Sequence, residues 1–101
     1  MALRDKILSL ISDIDDPSLR LEISRTITFL YEVWRSGSVS EEEILSSLYE
    51  VAYTIVSYKM PFLTEEDKRS KAREIAEDIM RSFRMESLFP RTFRRLRTAT
   101  L

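Results

Sequence analysis

A chain of 101 residues with 44% hydrophobic and 33% charged side chains has the size and make-up of one helical domain that needs no staple to fold. It contains no Cys and no His, which excludes a disulfide framework, the usual zinc ligand sets, and the commonest neutral-pH base and nucleophile. The net charge of −1 hides an asymmetry: residues 1–80 hold ten Lys and Arg against sixteen Asp and Glu, whereas residues 81–101 hold six Arg against Glu86 alone.

With one Gly and three Pro, the chain favours long helices and short connections. A first helix is predicted over residues 2–14, with Leu3, Ile7, Leu10, Ile11 and Ile14 on one face. Its helical alternation distinguishes the opening from a secretory signal, and no stretch has the roughly 18 consecutive apolar residues of a membrane span. Asp16-Pro17, an N-cap followed by proline at the first helical position, starts a second helix over residues 17–35. Leu19, Ile23, Ile27, Leu30 and Trp34 form its core stripe, widened by Phe29, Tyr31 and Val33, and Ser36-Gly37 ends it.

Ser40 with Glu43 makes a capping box, and three acidic residues in the first turn suit the helix dipole. The third helix then runs to Lys59, before Pro61. Ile44, Leu48, Val51, Ile55 and Tyr58 make one stripe, and Leu45, Tyr49, Ala52, Tyr53 and Val56 widen it to an arc of roughly 220°, against the 100–140° that one core face uses. Thr64 opens a fourth helix reaching Phe83–Glu86, with Ala72, Ile75, Ala76, Ile79, Met80 and Phe83 on a single face. Beyond Pro90, residues 91–97 are expected to add a short helical turn with Phe93 and Leu96 inward.

The expected fold is all-α: an up-down antiparallel four-helix bundle over residues 1–87, followed by a short basic, Arg-rich amphipathic segment, helical or extended, over residues 88–101. Its expected core is Leu10, Ile14, Ile23, Ile27, Leu30, Trp34, Leu48, Val51, Ile55, Ile75, Ile79 and Phe83.

Sites of chemistry are sparse. Asp13, Asp15 and Asp16 lack the spacing and closing Glu of a calcium loop, and they read as a turn and a cap. The helices flanking Ser36-Gly37 have the outline of a helix-turn-helix. The second of them opens with Glu41, Glu42 and Glu43, which repel phosphate, and its body has no Arg, Asn or Gln to read bases. No catalytic residue, metal site, cofactor or small-molecule substrate is expected. An enzyme working with carboxylates alone is the residual alternative.

Two features point to binding instead. The surplus apolar surface of the second and third helices, Phe29, Val33, Tyr49, Tyr53 and Val56, is an expected protein interface. Arg81, Arg84, Arg91, Arg94, Arg95 and Arg97 are an expected basic contact, since arginine pairs bidentately with carboxylate and phosphate. That contact has three competing targets: the chain's own acidic body, an acidic partner protein, or nucleic-acid backbone. The functional expectation is a non-enzymatic cytoplasmic accessory subunit or adaptor docking on a larger, nucleic-acid-processing complex. The alternative is a homodimeric, sequence-nonspecific nucleic-acid-binding regulator.

Overall fold

A computed structural model of the chain describes residues 2–88, and among these it is all-helical, with four helices and no strand. They are α1 (Leu3–Ile11), α2 (Pro17–Ser36), α3 (Glu41–Lys59) and α4 (Glu65–Ser87). The predicted turn over residues 91–97 lies outside the described residues, as do Arg91, Arg94, Arg95 and Arg97.

Local chemistry accounts for the boundaries. Asp16 accepts hydrogen bonds from the backbone N–H of Ser18 (3.0 Å) and Leu19 (3.3 Å) at the start of α2. Ser40 Oγ accepts from Glu43 N–H (3.2 Å), and Thr64 Oγ1 from Asp67 N–H (3.1 Å), opening α3 and α4 in the same manner. Gly37 ends α2 in the left-handed region, with φ of 74°.

The first helix is shorter than the periodicity predicts, ending at Ile11 rather than Ile14. Asp16, next to Pro17, takes extended backbone, so the first helix has to end before it. Ile14 is nonetheless fully buried, entering the core from the connecting turn, with its N–H donating to Ile11 C=O.

Each helix packs on its neighbours in the order α1–α2–α3–α4, and α4 closes the ring against α1. The α3–α4 contact is the most extensive, and α2–α3 is far sparser. Arg84 near the end of α4 pairs with Glu41 at the start of α3, while Tyr53 late in α3 bonds to Glu65 at the start of α4, so these two helices run antiparallel. Likewise Leu3 N–H donates to Glu86 (3.1 Å) and Lys6 pairs with Asp78, which sets α1 antiparallel to α4.

The core holds Ile14, Ile27, Ile44, Leu48, Ile55, Ile79, Met80 and Phe83 among its fully buried side chains. Phe83 packs its ring edge on Tyr31 (5.2 Å between centroids) and lies 5.9 Å from Trp34. Four expected core residues, Leu10, Trp34, Val51 and Ile75, sit half-buried at its margin instead. Leu10 and Trp34 fall in the last turns of α1 and α2, at the ends of their packed stripes, and Val51 and Ile75 on the edges of theirs. Tyr31 is buried, because it faces Phe83 across the ring.

Candidate docking surface

The five residues expected to form one protein interface fall in three different places. Val56 is 1% exposed and belongs to the core, a correction to the sequence reading: it shares a helix face with Ala52 and meets α4, the closest neighbour of α3. Tyr49 and Tyr53 stack at a tilt (6.4 Å between centroids) and, with Glu50, Glu65 and Arg69, line a groove of about 370 Å³ on the α3–α4 seam. Phe29 and Val33 lie on α2 and contribute nothing to that groove; Phe29 is 65% exposed and Val33 half-buried.

The α3–α4 seam is electrostatically closed. Tyr53 donates its hydroxyl hydrogen to Glu65, which also pairs with Arg69 (3.6 Å). The acceptor carboxylate raises the Tyr53 pKa above its ordinary value of 10.0, because ionising the phenol would set two anions side by side. Further along, Leu45, Glu77, Met80, Arg81 and Arg84 line a second groove of about 280 Å³. Here Arg81 pairs with Asp78 (3.0 Å) and Arg84 with Glu41. The two arginines of the expected basic contact that are described therefore already hold carboxylates of their own chain.

The α2–α3 seam differs in composition. Because Leu45, Tyr49 and Tyr53 mark the α4-facing flank of α3, its opposite flank, Glu43, Ser47, Val51, Thr54 and Tyr58, turns toward α2 and solvent. The facing flank of α2 carries Leu19, Glu22, Thr26, Phe29 and Val33, as the closed ring and the direction of α2 require. Leu19, Val33 and Val51 pack on the core edge, Tyr58 is 42% exposed, and Arg25 stands one turn before Phe29 on α2. The periodicity of α3 held the signal of its two-sided packing; it could not say which flank each neighbour would take.

Among the described residues, no group of three or more carboxylates is placed to hold a metal ion, and no helix is long and apolar enough to cross a membrane. Comparison with protein-family models, with curated proteins and with solved structures returns no match.

Proposed function

We propose that the chain is a non-enzymatic helical adaptor, an up-down bundle that docks on a larger protein through its exposed aromatic surface and uses its Arg-rich C-terminal segment on an acidic partner or phosphate backbone. One observation carries this reading: the buried core of the described residues does not include Phe29, which remains 65% exposed on α2. Large aromatic side chains held rigidly on a helix lose little entropy on binding and contribute heavily at interfaces. A nucleic-acid-processing complex is the partner class that would use the arginines as well, and a cytoplasmic setting suits the cysteine-free composition.

The test is Phe29→Glu in the full chain. It should release a co-purifying partner while far-UV circular dichroism stays unchanged; retention of the partner would remove this surface from consideration. A homodimeric regulator is favoured instead by the four arginines and no acid within residues 89–101. Under that reading the chain is a dimer by light scattering, and deleting residues 89–101 abolishes a steeply salt-dependent duplex affinity.

A further inference from the structure

The buried stripe of α2 is Ile23, Ile27, Leu30 and Tyr31, and the face opposite it is made by Ser18, Leu21, Glu22, Arg25, Phe29 and Glu32. Two of the large apolar side chains that stand in solvent lie on this one face, Leu21 at 51% and Phe29 at 65% exposure. Among the described residues the others are scattered: Leu8 on α1, Tyr58, Met85 and Leu88 at or near helix ends, and Phe62 in a turn. Phe29 lies well inside a helix of 20 residues, so a second helix can lie across it and extend along α2 on both sides.

The charges around Phe29 select that second helix. Arg25 precedes Phe29 by one turn and Glu32 follows it by one turn, with Glu22 and Arg35 further out, toward the edges of the face. Along the chain the order is minus, plus, Phe29, minus, plus; read backwards, it is its own complement. Two acidic and two basic side chains leave the face neutral, so it offers no net field to nucleic acid or to a strongly charged protein. An antiparallel copy of the same face meets it with Phe29 on Phe29 and each Arg25 opposite a Glu32. Glu32 already has an interaction within the chain, and a carboxylate, with about four acceptor sites, can take a second donor. Arg35 is held over the Tyr31 ring, 5.7 Å from its centroid, so the contact rests on Arg25.

We infer that the chain forms a two-fold symmetric dimer, α2 against α2 in antiparallel register, with Phe29 at the axis and Arg25 of each copy on Glu32 of the other. The inference rests on the dimeric reading given above and names its interface. One helix face against another buries less than the roughly 1,200–2,000 Å² of a standard interface, so the dimer is weak, with a Kd on the order of 100 µM. A larger partner that docks on Phe29 has to displace the second copy.

The test is light scattering and sedimentation of the full chain between about 10 µM and about 1 mM. Arg25→Glu and Glu32→Arg should each weaken dimerisation about tenfold or more, because each sets like charges together at two places, while the helical circular dichroism stays unchanged. An equimolar mixture of the two variants should pair as a heterodimer with the wild-type affinity, and the doubly reversed chain should do so with itself. Arg73→Glu, the same change of charge on α4, should leave dimerisation unaffected. A spin label on Ser18→Cys should lie about 30 Å from its counterpart in the other copy, against about 10 Å if the helices were parallel. A chain that is monomeric at about 1 mM overturns the inference, as does the short label distance. A dimer indifferent to both charge reversals leaves the dimeric reading standing and removes α2 as its interface.

Discussion

Phe83 and Phe29 are the same residue type in opposite settings, fully buried against Tyr31 and Trp34 in one case and 65% exposed in the other. Phe83→Ala should cost about 3–5 kcal/mol, from lost transfer energy and the cavity left behind. Phe29→Ala should stay within about 0.5 kcal/mol. Urea unfolding followed by circular dichroism separates the two. Two ionisable side chains add a pH signature. Lys59 hydrogen-bonds to the Asp13 carboxylate (3.0 Å) and lowers its pKa below the ordinary 3.8. A lowered carboxylate contributes stability above its unfolded pKa and loses it as pH falls through the folded value. The difference in melting temperature between wild type and Asp13→Asn should therefore shrink toward zero below about pH 4. Tyr53 works in the other direction, since its raised pKa means a contribution present below pH 10.0 and lost as pH climbs through the folded value. Glu65→Gln should bring the tyrosinate absorbance transition of Tyr53 down toward that ordinary value.

Among the elements, α1 is the one that depends on the others. It has nine residues, too few for a stable isolated helix, and Ala2 at its N-cap offers no side-chain hydrogen bond. Its two ends are satisfied from elsewhere: Glu86 of α4 accepts from Leu3 N–H (3.1 Å), and Lys59 of α3 donates to Leu10 C=O (3.2 Å). Lys59→Met should consequently raise amide hydrogen exchange in α1 before it affects the centres of α2 or α3. The other three helices carry their own caps, and Asp16→Ala, Ser40→Ala or Thr64→Ala should each cost about 1 kcal/mol. At the end of α2, a Cβ on Gly37 would meet nothing within 4 Å, yet its φ of 74° is one that L-residues adopt at a cost of about 1–2 kcal/mol. Gly37→Ala should show that cost in urea unfolding, and Gly37→Asn much less of it.

Among the described residues, every one in the buried core lies within the four helices or at Ile14 in the turn after α1. A chain ending at residue 88 should therefore keep its helical circular dichroism and cooperative unfolding. A truncated chain that loses its helices would place residues 89–101 inside the folding unit.

Much of the architecture was legible in the sequence because its signals are local. Asp16-Pro17, Ser40 and Thr64 each satisfy orphan N–H groups within three residues, so the starts of α2, α3 and α4 follow from spacing alone. The excess apolar arc of α3 likewise showed that the helix is packed on more than one flank. Its division between partners was not legible: Val56 as core, Tyr49 and Tyr53 on the α4 side, Val51 and Tyr58 on the α2 side. That division depends on which helix lies beside which flank, and it is set by pairs far apart in sequence, such as Glu41 with Arg84 and Leu3 with Glu86. Periodicity reports a helix's own faces; only the closed ring of four helices decides what each face meets.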